Sequence, residues 1–144
     1  MKNKEKINME EKHSNRIRDL KGTWKTLIVI VSVSLISFHL YTSIFGLFPN
    51  IIQRSIHLML GLILCFAYFP LKKQQKIQNY IPFYDLIFIL IIIISCIYII
   101  LVYDEIMFDP MRSLSKIDLF LGLALFILVL EAGRRSAGII FSIM

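Results

Sequence analysis

Two histidines lie within apolar stretches of the chain, where an imidazole needs a hydrogen-bond partner or a ligand. A pair of histidines on adjacent membrane helices can hold a b-type haem, which would make the chain a membrane anchor subunit of a respiratory enzyme. The positions predict different depths: His39 lies twelve residues, roughly 18 Å, along the first apolar run, whereas His57 lies two residues into the returning run. The predicted heights differ by roughly 9 Å across a ~30 Å core, so the sequence disfavours a shared haem.

A cluster of charges follows the last apolar run. Glu131 precedes Arg134 and Arg135 by three and four residues. On a helix these spacings bring the side chains together, so the sequence predicts intrahelical ion pairs. A charged collar that fixes the depth of a helix is favoured here over a proton relay.

Two aspartates border apolar runs. Asp85 follows Pro82 by three residues and precedes the third run, which predicts a helix N-cap. Asp118 precedes the fourth run and is expected to pair with Arg54 at the same membrane boundary, unless each contacts lipid headgroups. An intramembrane aspartyl protease needs two carboxylates at one depth, but Asp85 and Asp118 are predicted to lie on opposite sides.

The remaining sequence contains no catalytic motif. It has no Gly-rich phosphate loop, no CxxC, no HExxH and no nucleophile elbow. We therefore expect a chain that is not an enzyme and that has no cofactor or metal ligand set of its own.

Composition indicates that these residues belong to a membrane protein. Hydrophobic residues form 57% of the 144 positions, charged residues form 18%, and the mean hydropathy is +0.71. A water-soluble domain with this composition would expose too much apolar surface. The net charge of +6 does not indicate nucleic-acid binding, because the basic residues flank apolar runs. Cys65 and Cys96 lie within those runs and are expected to be reduced, buried thiols.

Four apolar runs predict an all-α integral membrane four-helix bundle. The runs cover residues 27–47, 55–71, 86–103 and 119–130. The first is long enough to cross a ~30 Å hydrocarbon core. The uncharged core of the fourth reaches only ~18 Å, so this helix must extend on both sides and place Asp118 and Glu131 at the interfaces, or lie in a thinned bilayer.

The predicted domains are a basic cytoplasmic head at residues 1–25, the four-helix domain at 26–135, and a final segment at 136–144. A short interfacial helix from Ser14 would align Ile17, Leu20 and Trp24 on one face. The final segment predicts either the start of an incomplete further helix or linker, or a frayed tail on the membrane.

The distribution of Lys and Arg predicts the orientation. With the head inside, thirteen of the sixteen basic residues fall on the cytoplasmic side and three fall outside. The positive-inside rule therefore places both termini in the cytoplasm.

Small and polar residues form stripes on the first two helices. One stripe contains His39 and Gly46, and the other contains Gln53, Arg54, His57 and Gly61. Such stripes face neighbouring helices, where they permit close approach and hydrogen bonding. We favour helix docking for both stripes over a substrate path or a cofactor site.

An ordered series of motifs resembles a known family. The series is Trp24, His39-Leu-Tyr-Thr-Ser-Ile-Phe-Gly46, Gln53-Arg54-Ser-Ile-His57-Leu, Phe69-Pro70, Pro82-Phe-Tyr-Asp85, Asp118 and Glu131-Ala-Gly-Arg134-Arg135-Ser-Ala-Gly138. Over roughly residues 22–144 it resembles the amino-terminal, small-subunit part of the fused permease of TRAP transporters, the tripartite ATP-independent periplasmic carriers, in the TAXI-associated variant. The chain departs from that family in lacking a glycine before Asp118 and the large transport domain.

The resemblance implies a division of labour. A periplasmic protein binds the solute, a large multi-helix permease domain moves it with a sodium gradient, and the four-helix part braces that domain in the bacterial inner membrane. The family's ion-binding residues belong to the large domain, so none can be assigned here. Two alternatives are a small membrane subunit of a tricarboxylate tripartite carrier and the respiratory anchor subunit described above.

Overall fold

The chain forms an all-helical structure, seen in a computed structural model that describes residues 18, 20–71, 80–109, 111 and 113–136. The helices are α1 (Thr23–Phe45), α2 (Asn50–Tyr68), α3 (Phe83–Leu101), the short α4 (Tyr103–Phe108) and α5 (Lys116–Ser136). The described residues contain no strand. The expected head helix falls mostly outside the described residues, as does nearly all of the segment at 136–144.

Three helices have the length and hydropathy needed to cross a bilayer, namely α1, α2 and α3. The fourth apolar run is extended at both ends, as predicted, and forms a 21-residue helix that includes Asp118 and Glu131. Its additional charged residues distinguish α5 from the other three.

The helices begin earlier than the apolar runs predict. α1 starts four residues before residue 27, and α2 starts at Asn50, five residues before residue 55. Polar residues such as Asn50 and Arg54 lie within α2, although their low hydropathy excludes them from the apolar run. Trp24 therefore lies in the first turn of α1 and not in a head helix.

Two glycines delimit α1 because of their backbone conformation. Gly22 precedes the helix with φ of 61°, and Gly46 follows it with φ of 111°. Side chains strain a backbone in this region, so glycine suits both positions. Gly46, predicted to lie in a docking stripe, is the residue at which α1 ends and the chain turns toward Pro49.

A compact apolar core joins α2, α3 and α5. Its buried members, in chain order, are Leu62, Phe66, Ile92, Cys96, Leu125, Leu128 and Ala132. A second apolar cluster joins the head to the helices and contains Leu20, Ile28, Ala67 and Ile81, with Trp24 packed against it. α1 packs on α2, yet only Ile28 and Thr42 of its 23 residues are buried.

Candidate functional site

Two polar clusters hold the helices together, one at each end of α2. We call the end where residue 18 meets the helices the head end, and the end where α1 turns into α2 the hairpin end. The arginine–carboxylate cluster lies at the head end and contains Arg18, Asp85, Glu131, Arg134 and Arg135. The histidine cleft lies toward the hairpin end.

Asp85 is the centre of the arginine–carboxylate cluster. Its side chain is fully buried, in the first turn of α3. One oxygen accepts a hydrogen bond from Arg18 Nη2, and the other accepts one from Arg135 Nη1 at 2.7 Å. A carboxylate taken out of water needs this compensation by opposite charge. Asp85 thereby connects the head, α3 and α5.

The prediction that Asp85 caps α3 is wrong. The helix begins at Phe83, two residues before Asp85, and the N-cap residue is Pro82 without a side-chain cap bond. Proline is favourable at a helix start because its φ is preset and it has no N–H to satisfy. The Asp85 side chain is therefore available for the two arginines.

The arginines also cap the carboxyl end of α2. Arg18 Nη1 donates to the carbonyl oxygens of Phe66, at 2.9 Å, and Ala67, at 3.4 Å. The Arg18 backbone N–H donates to the Tyr68 carbonyl at 2.9 Å, and Arg135 Nη1 lies 3.4 Å from the Phe69 carbonyl. The last carbonyls of a helix have no intrahelical donors and carry partial negative charge, so two guanidinium groups are well placed there.

The predicted pairing within α5 is confirmed. Glu131 accepts two hydrogen bonds from Arg134, at 2.7 and 2.6 Å, and one from Arg135 Nε at 2.8 Å. The Arg135 guanidinium also lies over the Phe66 ring, with its central carbon 4.7 Å from the ring centroid. Arg135 is consequently held by a carboxylate on each side and by an aromatic face.

The histidine cleft contains a direct bond between the two histidines. His39 Nε2 and His57 Nδ1 lie 2.7 Å apart, and one of them donates to the other. A cleft of about 480 Å³ opens beside them. Among the described residues, it is lined by the two histidines and by Leu47, Asn50, Gln53, Arg54 and Leu58.

The predicted difference in depth between the histidines is wrong. His39 lies six residues before the end of α1, and His57 lies seven residues after the start of α2, so both are roughly 10 Å from the hairpin end. The prediction failed because α2 begins five residues earlier than its apolar run. Depth no longer argues against haem, but geometry does: a porphyrin must lie between its two axial imidazoles, and here the rings contact each other.

Two other predicted residues have different environments from those expected. Asp118 was expected to pair with Arg54 or with lipid headgroups; it accepts hydrogen bonds from the Tyr98 hydroxyl at 2.6 Å and the Ser115 N–H at 2.8 Å. The bond from Tyr98 attaches the start of α5 to the end of α3. A side chain at Gly61 would meet nothing within 4 Å, so Gly61 provides no close approach within the described chain.

Sequence reasoning missed Arg18, which joins the head to both α2 and α3. It is one of eight basic residues before residue 26, and no local pattern separates it from the others.

The described residues contain no group of three or more His, Cys, Asp or Glu arranged to hold a metal ion.

Comparisons with known families, sequences and structures found no relative of this chain. The chain matches no family model, no curated protein sequence and no solved structure.

Proposed function

We propose that this chain is a non-catalytic membrane subunit that braces the large multi-helix permease of a TRAP-type secondary transporter. The observation that carries the proposal is that polar residues of the motifs that resemble this family make hydrogen bonds between helices. Asp85 on α3 bonds Arg135 on α5, Arg135 also contacts the end of α2, and His57 on α2 bonds His39 on α1. These polar residues join helices, which is what a scaffold requires.

In this proposal the chain crosses the bacterial inner membrane four times. α5 contributes the fourth crossing, because 21 residues reach roughly 31 Å and residues 119–130 carry no charge. Four crossings put both chain ends on one side, and the Lys and Arg distribution favours the cytoplasm. The head end then faces the cytoplasm and the hairpin end faces the periplasm.

The proposed docking surface for the permease is the α1–α2 face around the histidine cleft. His39, Arg54 and His57 are exposed there. Polar side chains exposed to hydrocarbon are costly, so this face favours a protein neighbour with polar groups over lipid alone. The periplasmic solute-binding protein would interact with the complex only through the permease.

Reporter fusions test the four crossings. Alkaline phosphatase fused after Asp109 is expected to be active, and fusions after Leu71 or Ser136 are expected to be inactive, because the enzyme matures only outside the cytoplasm. Green fluorescent protein at the same three sites should give the opposite pattern. An active phosphatase after Ser136 would contradict four crossings with cytoplasmic ends.

Co-purification tests the partner. The tagged chain is co-expressed with a TRAP-type permease large subunit from the same organism, and a photo-crosslinking residue replaces Arg54 in one variant and Met107 in the control. Met107 is exposed on α4 and is not among the residues that line the cleft. We expect a crosslink to the permease from position 54 alone, and loss of solute uptake when the chain is deleted. Uptake that survives deletion would overturn the proposal.

The alternatives give different results. A haem subunit would show a Soret band in the visible spectrum of the purified chain. A tricarboxylate carrier subunit would co-purify with a large partner of that carrier type instead.

A further inference from the structure

The two bonded histidines bring two metal-binding nitrogens to one point beside an open cleft. His39 Nε2 and His57 Nδ1 lie 2.7 Å apart, and their ring centroids lie 4.9 Å apart. Both residues are exposed, so an ion in the cleft can reach them. A neutral imidazole can bind a metal ion through either of its nitrogens. Local sequence motifs do not register this pair, because its members come from two helices.

The spacing of the pair is close to that of two ligands on one metal ion. Zn–N bonds are about 2.0–2.1 Å long, so two nitrogens on a tetrahedral zinc ion are roughly 3.3 Å apart. The histidine nitrogens need to separate by only roughly 0.6 Å, while the rings turn to direct both lone pairs at the ion. Two imidazole centroids on such an ion are roughly 5 Å apart, close to the 4.9 Å seen here.

One proton must move when an ion binds the pair. In the metal-free pair one ring nitrogen donates to the other, and the donor becomes a ligand only after it loses its proton. The same ring can take that proton on its other nitrogen, which converts one neutral tautomer into the other. Both rings then remain neutral, each binds through the nitrogen that made the hydrogen bond, and no net proton is released.

The cleft provides a polar path to the pair and room for further ligands. It includes Asn50, the first residue of α2, as well as Gln53 and His57. These positions are three and four residues apart, so they follow one face of α2 from its start to the histidines. A water needs about 10–15 Å³ of such space, and the cleft has about 480 Å³. Several waters therefore fit beside the rings, where the amide side chains of Asn50 and Gln53 can bond them.

We propose that His39 and His57 bind one divalent transition-metal ion of the class that prefers imidazole ligands, with zinc as the reference ion. Water occupies the remaining coordination positions. The ion replaces the hydrogen bond between the rings and joins α1 to α2. Arg54 also lines the cleft, and its positive charge lowers the affinity for a cation. The proposal depends neither on the permease partner nor on the orientation of the chain.

Zinc titration of the full chain in dodecylmaltoside micelles tests the site. The chain is purified through a tag without histidines and freed of metal with EDTA, which is then removed. Competition with a zinc-binding dye gives the affinity. The informative variants are His39→Gln and His57→Gln, which each remove one ligand and keep a polar side chain. The matched control is His13→Gln, which replaces the third histidine of the chain.

We expect each informative variant to weaken zinc binding about tenfold or more, because the loss of a residue that only supports a ligand already costs about 10–100-fold. His13→Gln should leave the affinity unchanged, and Arg54→Gln should raise it. Circular dichroism without zinc shows whether each variant keeps its helices. Binding that survives the double variant His39→Gln with His57→Gln, or that Arg54→Gln weakens, would overturn the proposal.

Copper gives a second measurement that needs no variant. Cu²⁺ binds a nitrogen ligand set more tightly than Zn²⁺ does, and its pulsed electron paramagnetic resonance spectrum counts the imidazoles bound to it. One equivalent added to the unmodified chain should show two imidazoles, and a spectrum with one or none would contradict the site. Absence of zinc binding beside an intact crosslink to the permease would refute this inference alone. Zinc binding without a permease partner would refute only the proposed function.

Discussion

Asp85→Asn is the substitution that most directly tests the arginine–carboxylate cluster. It preserves the size of a fully buried side chain and removes its charge. Arg18 then loses the one carboxylate that it bonds among the described residues, while Arg135 keeps the bond from its Nε to Glu131. The variant therefore isolates the charge that connects the head to α3 and α5.

The magnitude follows from what remains after the substitution. Removing one partner of a buried ion pair costs about 3–5 kcal/mol, because the other charge stays buried without compensation. Glu131 still neutralises part of the Arg135 charge, and the carbonyls at the end of α2 still accept from Arg18. We expect a loss at the lower end, about 3 kcal/mol of unfolding free energy.

Unfolding in mixed micelles of dodecylmaltoside and increasing sodium dodecyl sulfate measures this loss. Helix content from circular dichroism gives the global transition. Trp24, the only tryptophan, packs against the cluster that joins the head to the helices, so its fluorescence reports the release of the head. Arg18 is 5% exposed, and trypsin cleavage after it should accelerate in the variant.

Two further variants separate charge from general damage. Asp104→Asn removes an exposed carboxylate on α4 and should change stability by less than about 0.5 kcal/mol. The double variant Asp85→Asn with Arg18→Met removes the charge together with its partner, and should be more stable than the sum of the single changes by about 1 kcal/mol or more. A cost below 1 kcal/mol for Asp85→Asn, or an additive double variant, would refute the reasoning.

Two smaller predictions use the same unfolding assay. His57→Ala and His39→Ala should each lower the unfolding free energy by about 0.6–1.7 kcal/mol, the range for interhelical hydrogen bonds in membranes. The double variant should lose less than the sum of the two, because each single change already removes the same bond. Additive losses would show that the bond contributes nothing to stability. Gly46→Ala should destabilise the chain by about 1 kcal/mol or more, because φ is 111° there. Gly61→Ala should be neutral or stabilising by up to about 1 kcal/mol, because Gly61 is helical and a side chain there would meet no neighbour. Equal effects of the two substitutions would contradict the argument from backbone conformation.

Hydropathy and spacing predicted the parts of the structure that depend on local sequence. The three most apolar helices, the extension of α5 and the Glu131 pairs with Arg134 and Arg135 are all local features. Helix ends were predicted less well, because hydropathy measures which residues prefer lipid and not where the backbone becomes helical. Because α2 begins five residues before its apolar run, His57 lies roughly 7.5 Å further from the helix start than the run predicted.

Contacts between distant residues were beyond sequence reasoning, and Arg18 is the clearest case. It bonds Asp85, 67 positions away, and a carbonyl 48 positions away. No sequence periodicity distinguishes an arginine that caps a helix from one exposed to solvent. Every helix end has carbonyls without donors, so the sequence does not show which end a given arginine will reach. Only the fold brings the carbonyls of α2 and the carboxylate of α3 to one place.

The positions of the two clusters explain how largely apolar helices obtain one arrangement. In lipid, apolar side chains gain little by choosing one helix over another, so polar contacts and close packing must specify the register. α2 has polar contacts at both of its ends: His57 holds α1 near the hairpin end, and its final carbonyls hold Arg18 and Arg135 at the head end. Two attachment points, separated by roughly 15 Å along one helix, restrict both translation and rotation. The proposed scaffold role would require such a restriction. Breaking either cluster alone should leave the other able to hold only part of the bundle.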